Sequence, residues 1–181
     1  METNRKRILA ISGSTRQQST NTYLLAWISK LASAQFDIEL CTPIDQLPHF
    51  NPDLDNEQLP DSVAQLRRNI DEADGVLICT PEYVFSIPGT LKNALEWTVS
   101  TTVFADKPVA LITASTSGEK ASEQLALLMN TVGARFDQQT QLLIQAARSK
   151  VGAETIDPQT RQDLIHLIDA LALQLLAAPA H

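Results

Sequence analysis

Residues 13–22, GSTRQQSTNT, place five hydroxyls (Ser14, Thr15, Ser19, Thr20 and Thr22), one arginine (Arg16) and one asparagine (Asn21) within ten positions. Neutral hydrogen-bond donors around one guanidinium are the chemistry of a phosphate cradle. Arg16 offers a bidentate contact to a phosphate. Ser14, Ser19, Asn21 and Thr22 donate hydrogen bonds without adding charge. The stretch follows a short apolar run, RILAIS, and leads into an amphipathic one, YLLAWISKLA. That places it at a strand end and a helix N-terminus, where unpaired N–H groups and the helix dipole favour an anion. Capping the helix needs only one Ser or Thr, and this loop carries several. Neither G-x-x-x-x-G-K-[ST] nor G-x-G-x-x-G occurs here, which argues against a P-loop nucleotide and a dinucleotide fingerprint. A phosphate held through hydroxyls, without lysine or metal, fits a mononucleotide cofactor.

A second stretch, TPEYVFSIPGTLKNALEW at residues 80–97, has a different chemistry. Pro81 and Pro88 stiffen it. Tyr83 and Phe85 add aromatic surface, and the backbone offers N–H and C=O groups. A planar heterocycle would find polar partners at its edge and apolar ones at its face. Read by itself, the segment serves equally well as a structural loop covering the core. Its place after a strand, beside the phosphate loop, favours the ligand reading.

The elements that must position these stretches alternate along the chain. Strands are expected at KRILAIS, FDIELCT, GVLICT, KPVALITAS and TQLLIQA. Helices are expected at NTYLLAWISKLASA, DSVAQLRRNIDEA, PGTLKNALEWTVS, ASEQLALLMNTV and DPQTRQDLIHLIDALALQLLAA. GVLICT is apolar on both faces, as a central parallel strand must be. Residues 43–60, rich in proline, read as a long irregular loop. Alternating β and α units imply an α/β protein with a doubly wound parallel sheet and helices on both faces. Right-handed crossovers and five strands suit the flavodoxin-like order 2-1-3-4-5. Ligands of such sheets bind at the strands' carboxyl ends, at the switch point between the first and third strands. Both stretches fall there.

At this level the chain resembles a known family. GSTRQQSTNT is similar to the G-S-x-R-x-x-S-x-N motif of the NADPH-dependent FMN reductases, and PEYVFSIPGTLKNALEW resembles their P-E-Y-N-x-S-I-P-G-x-L-K-N-A-I-D-W segment. The resemblance implies a flavodoxin-like fold and non-covalent FMN. Hydride would pass from NADPH or NADH through the flavin to a flavin, quinone or similar acceptor. It assigns the FMN phosphate to Ser14, Arg16, Ser19, Asn21 and Thr22, and the isoalloxazine to Pro81, Glu82, Tyr83, Val84 and Phe85. Glu82 also reads as a turn-stabilising carboxylate. Ser115 matches the third loop, after the fourth strand. The flavin carries the chemistry, so no catalytic side chain is expected. Two departures stand out. Val84 occupies a position where the family commonly has Asn, which removes a side-chain hydrogen bond near the ring. The third loop, ASTSGEKASEQ, lacks a Gly-Gly and brings Glu119 and Lys120 to the entrance. Other readings are a flavodoxin-type carrier, whose T-x-T-G-N-T loop is absent, and a non-catalytic flavin-binding sensor.

The 181 residues suit one domain, 1–181. A net charge of −7 and the lack of a basic run argue against nucleic acid or an anionic membrane surface as partners. Cys41 and Cys79 sit in strand-like runs without metal spacing and read as small buried residues of a reducing compartment. METNRKR is no signal peptide, and no apolar run spans a bilayer, so a cytoplasmic enzyme is expected. His49 and His181 read as solvated, His166 as partly buried. Leu47, Phe50, Leu54 and Leu59 in the long loop, with the leucine-rich final helix, point to burial against a partner. The resembling family's dimers and tetramers imply a homodimer or homotetramer.

Overall fold

A computed structural model describes residues 5–41 and 43–177. Expectations placed on residues 1–4, Thr42 and 178–181, His181 included, lie outside them. The strands are β1 (Lys6–Ser12), β2 (Phe36–Leu40), β3 (Gly75–Thr80), β4 (Val109–Ala114) and β5 (Gln141–Ile144). They form one parallel sheet in the order β2-β1-β3-β4-β5. The helices are α1 (Thr20–Leu31), α2 (Asp61–Glu72), α3 (Gly89–Glu96), α4 (Glu119–Thr131), α5 (Ala147–Lys150) and α6 (Pro158–Leu176).

Position in the sheet explains the strand compositions. β3 and β4 are buried along their whole length, because helices cover both of their faces. The edge strand β2 buries only Phe36. Alternate residues then feed two cores. Ile8, Ala10, Leu77, Cys79, Ala110 and Ile112 face α1 and α6. Leu9, Ile11, Val76, Ile78, Val109 and Leu111 face α2, α3 and α4. Full burial of one such aliphatic side chain is worth about 1.5–3 kcal/mol.

The structure corrects several local expectations. α4 begins at Glu119, two residues earlier than the periodicity places it, so Glu119 and Lys120 form its first turn and do not line an open loop. β5 stops at Ile144, because the N–H groups of Ala146 and Ala147 turn back to the carbonyls of Thr116 and Ser115. The short α5 follows, unforeseen in the sequence, from a left-handed Ala146 (φ 51°). His166 is exposed and bonded to Gln162, 2.9 Å away, not partly buried.

The long loop contains two short 3-10 turns, Ile44–Gln46 and Pro52–Leu54. Ile44 is buried in the core, Leu47 packs beside it, and Phe50 is held by this chain itself. Phe50 packs edge-on against Trp97, with ring centres 5.1 Å apart. Trp97 Nε1 and Asn93 Nδ2 donate to the Pro48 carbonyl, and Phe50 N donates to Asn93 Oδ1. Asp55 accepts from Arg67 at 2.8 Å and from Ser100 Oγ at 2.6 Å, while Arg67 Nε donates to the Trp97 carbonyl. The two charged side chains are only 15% and 10% exposed.

Ser100 foremost, then Arg67, hold the Asp55 carboxyl below the usual carboxylate range against the opposing effect of burial. A depressed folded-state value means that this stabilisation is complete above the ordinary carboxylate value, about 3.9. It is lost as pH falls through the lower folded value. Asp55→Asn is expected to cost about 1–3 kcal/mol at neutral pH, the penalty for weakening a largely buried charge-assisted bond. It should also flatten the loss of stability below about pH 4. Urea unfolding midpoints from pH 2 to 7 check both; parallel acid profiles for the two proteins would count against the assignment.

Candidate functional site

The pairings Ser12 with Cys79 and Thr80 with Thr113 level the carboxyl ends of β1, β3 and β4. Three loops therefore leave the sheet side by side: residues 13–19, 81–88 and 115–118. The chain crosses to one side after β1 and to the other after β2, so this is the switch point of the sheet.

The first loop begins with a close approach. Gly13 N–H donates to the Cys79 carbonyl at 2.8 Å. A Cβ on Gly13 would lie 2.5 Å from Thr80 Oγ1, 2.9 Å from Thr80 Cβ and 3.1 Å from Leu91 Cδ2. Only glycine lets the loop pass between β3 and α3. Ser12 Oγ donates to the Ser14 carbonyl at 3.0 Å and accepts from Ser14 N at 3.2 Å, which tightens the next turn. Ser19 is the N-cap of α1. Its Oγ accepts from Thr22 N at 3.1 Å and lies 2.9 Å from Thr22 Oγ1, which also reaches the Arg16 carbonyl at 3.3 Å. Ser19 and Thr22 thus shape the helix end. The N–H groups of Thr20 and Asn21 have no intrahelical acceptor, as the first turn of a helix requires.

Asn21 is 3% exposed, and its Oδ1 accepts from the Cys79 thiol at 3.1 Å. Burial pushes this thiol far above its ordinary range, so it stays protonated and donates. That contact engages the carbonyl side of the Asn21 amide and leaves its NH2 as the free donor. Arg16 is exposed and makes no ion pair among the described residues. No residue from 13 to 22 is acidic. The loop therefore combines open N–H groups, neutral donors and one unpaired guanidinium, a donor set that fits a phosphate.

The second loop closes on itself. Tyr83 N donates to the Ser86 carbonyl at 2.9 Å, and Ser86 N donates back to Tyr83 O at 3.1 Å. Between them Val84 and Phe85 both have positive φ, 53° and 54°. Two positive φ values in a two-residue turn are the demand of type I′, which Asn and Gly meet easily and a β-branched residue does not. Val84 is 95% exposed and Phe85 79%. The departure at position 84 thus has a backbone meaning beyond a missing hydrogen bond: the Asn of the resembling family is a residue type that this geometry favours.

The Glu82 side chain reaches across to the start of α4. Its carboxylate accepts from Gly118 N at 3.2 Å and Ala121 N at 3.0 Å, capping α4. Gly118, in the left-handed region, supplies no side-chain cap of its own. The side chain is engaged in structure, which agrees with the turn-stabilising alternative. Ser115 is half-buried, with its N–H on the Ile144 carbonyl at 3.2 Å. Lys120 pairs with Glu123 at 2.7 Å and turns its charge along α4. Gln124, unremarked in the sequence, accepts from Ser86 Oγ and from Ile87 N. Its contact is tertiary, and no local spacing announces it.

Burial, aided by Glu39, pushes Cys41 up to about 11, so neither thiol is a nucleophile at neutral pH. No group of three or more metal-ligating side chains occurs among the described residues.

A doubly wound five-stranded parallel sheet in this strand order, with a donor-rich loop at its switch point, defines a flavodoxin-like protein. The profile of the family described as NADPH-dependent FMN reductase matches residues 6–149, and the chain belongs to that family. It is an oxidoreductase that uses FMN and NAD(P)H. A quinone reductase of Escherichia coli K12 is 29% identical over 171 residues, 91% of each chain. An NADH:(hydroxy)cinnamate reductase subunit of Vibrio ruber is 44% identical over 108 residues, 59% of this chain, and the match spans about half of that relative, 52%. The solved flavoenzyme NAD(P)H:(acceptor) oxidoreductase of Paracoccus denitrificans superposes with a TM-score of 0.78 at 27% identity, over 95% of this chain and 98% of that one.

The close approach at Gly13 can be tested directly. Gly13→Ala should destabilise the fold by about 1–3 kcal/mol, the usual cost of overpacking. A combined Gly13→Ala, Thr80→Ala variant should lose less stability than the sum of the two single variants, because the Oγ1 that would lie 2.5 Å from the added Cβ is gone. Thermal unfolding monitored by circular dichroism checks this; an unchanged melting temperature for Gly13→Ala would contradict the packing.

Proposed function

We propose that residues 1–181 act as a single FMN-binding unit that reduces planar, quinone-type acceptors with NADPH or NADH. One observation carries the reading: an acid-free loop of donors at the start of α1 lies beside a turn that exposes two apolar side chains. In this reading the phosphate is held by Ser14, Asn21 and Arg16 with the N–H groups of Thr20 and Asn21. Ser19 and Thr22 keep the helix end in shape. Pro81, Tyr83, Val84 and Phe85 line the ring, with Ser115 at its far side. Bound FMN supplies the two-electron exchange between nicotinamide and acceptor.

The chain's own part is binding, orientation and exclusion. Arg16 neutralises phosphate charge, and the neutral donors orient it. Glu82 braces the second loop against α4, its carboxylate accepting from two N–H groups there. The exposed Val84 and Phe85 favour an apolar acceptor over a charged one. The quinone reductase activity named for the Escherichia coli relative supports that choice. Among the described residues no helix is long and apolar enough to cross a membrane; the free thiols of Cys41 and Cys79 support the proposed cytoplasmic setting.

The test has two arms. Arg16→Ala should weaken FMN binding by about 1.5–3 kcal/mol, roughly ten- to a hundredfold. Riboflavin, which lacks the phosphate, should bind equally weakly to both proteins. With FMN bound and oxygen absent, NADPH or NADH should bleach the flavin absorbance in stopped flow, and a quinone should restore it by a ping-pong course. A flavin that stays oxidised with both nicotinamides but is reduced by dithionite would replace the enzyme reading with that of a sensor or carrier.

The assembly is proposed as a homodimer or homotetramer. The long loop does not support this, because Phe50 lies against the chain's own Trp97. Support comes from Leu127, Leu173 and Leu176, each more than 60% exposed. Light scattering at micromolar concentration should give at least twice 19.8 kDa; a monomer mass would end this proposal.

A further inference from the structure

Both legs of the turn at Val84 and Phe85 end on the same helix. On the incoming leg, the Glu82 carboxylate accepts from Gly118 N and Ala121 N in the first turn of α4. On the outgoing leg, Gln124 Oε1 accepts from Ser86 Oγ and, at 3.1 Å, from Ile87 N. Four hydrogen bonds therefore tie the two legs to one rigid element. Between those ties the backbone holds Val84 and Phe85 in the left-handed region, which a β-branched residue avoids. Neither residue recovers that cost by burial, for their side chains are 95% and 79% exposed. A strained backbone persists only where its surroundings over-determine it, and such strain gathers at ligand clamps. Here the over-determination is visible atom by atom. Relaxed to an ordinary turn, the two legs would splay, and the two apolar side chains would move.

From this we infer that Gln124 is a positioning residue for acceptor specificity: it and Glu82 clamp the strained turn so that Val84 and Phe85 stand as a preset apolar wall for a planar acceptor. The inference rests on the acceptor reading above and adds the device that sets its geometry. It accounts for how this chain keeps the turn with a β-branched residue at position 84. The clamp supplies from α4 what residue 84 does not supply locally. It also gives Gln124 a neutral acceptor's role that neither a longer nor an apolar side chain fills. A single amide oxygen accepts from a hydroxyl and a backbone N–H at once, as its two lone pairs allow.

The experiment uses the FMN-loaded full chain with Gln124→Met, which keeps length and loses the acceptor, and Gln124→Glu, which keeps the acceptor. Each is made with Val84 intact and with Val84→Asn. Hydrogen exchange of a peptide covering residues 81–90 reads the turn without reference to activity. Gln124→Met should speed its exchange about tenfold with Val84 intact and less than threefold with Val84→Asn, because Asn holds the left-handed turn unaided. In steady state, Gln124→Met should raise KM for 2-methyl-1,4-naphthoquinone about tenfold while kcat moves less than threefold. KM for ferricyanide, a small anion that needs no apolar wall, should move less than twofold. Gln124→Glu should restore both readouts. Ser86→Ala, which removes one donor and leaves α4 intact, should shift them the same way by a smaller factor. Equal exchange effects in the two backgrounds, or KM values that rise together for both acceptors, would overturn the inference. If no nicotinamide reduces the flavin, the acceptor reading fails, and the exchange arm still decides the clamp.

Discussion

The contact at which β1 leaves the sheet sets the terms for the rest of the site. There the Gly13 N–H meets the Cys79 carbonyl, and the space beside Thr80 and Leu91 admits no Cβ. Because β1 and β3 lie this close, their loops emerge as neighbours. The hydroxyl-rich loop and the segment leading to the Tyr83–Ser86 turn then leave the sheet side by side without any further element to bring them together. The same proximity lets Cys79, at the end of β3, donate to Asn21 on α1. A residue of one strand thereby orients a side chain of the other strand's helix. A wider spacing would dissolve the phosphate loop's shape and the turn's placement together.

Electrostatics in the site is arranged by what is left out. The hydroxyl-rich loop has no carboxylate, and the one in the neighbouring loop, Glu82, is held by N–H groups at the start of α4. A negative ligand thus meets donors and one guanidinium in a chain whose net charge is −7. Binding relies on local hydrogen bonds and a helix N-terminus, not on a long-range basic field. Oriented neutral donors also serve a redox site well, because they hold a ligand without a proton to gain or lose. The thiols agree with this, both pushed by burial into the protonated form.

α4 is the element that joins the parts. Its first turn is capped from the second loop, its Gln124 holds the far leg of that loop, and its entry at Gly118 ends the third loop. On the same face of the sheet, the Trp97 and Arg67 contacts fasten the long loop over α3. α3, which begins directly after the strained turn, is thus fixed at both ends. A turn with two non-glycine residues in the left-handed region survives in this setting because both of its legs are anchored to α4.

Much of this was legible in the residues. The doubly apolar runs GVLICT and VALITA required central parallel strands, because helices on both faces leave no room for a polar side. The hydroxyls of residues 13–22 announced a donor-lined helix start, since neutral donors gathered at a strand-to-helix turn have few other uses. The two motifs together named the family. What the sequence left open depended on contacts between distant residues. Glu82 looked like a ring-lining residue or a turn brace, and only the position of α4, some 36 residues on, engaged its carboxylate at Gly118. Phe50 looked like part of a partner's surface, and only the fold set it edge-on against this chain's own Trp97. Val84 looked like a missing amide, whereas its φ of 53° marks it as the strained apex of a clamped turn. Residue type and spacing carry local geometry and donor chemistry. They do not carry which donor meets which acceptor once the chain has folded, because those meetings are set by the packing of helices against both faces of the sheet.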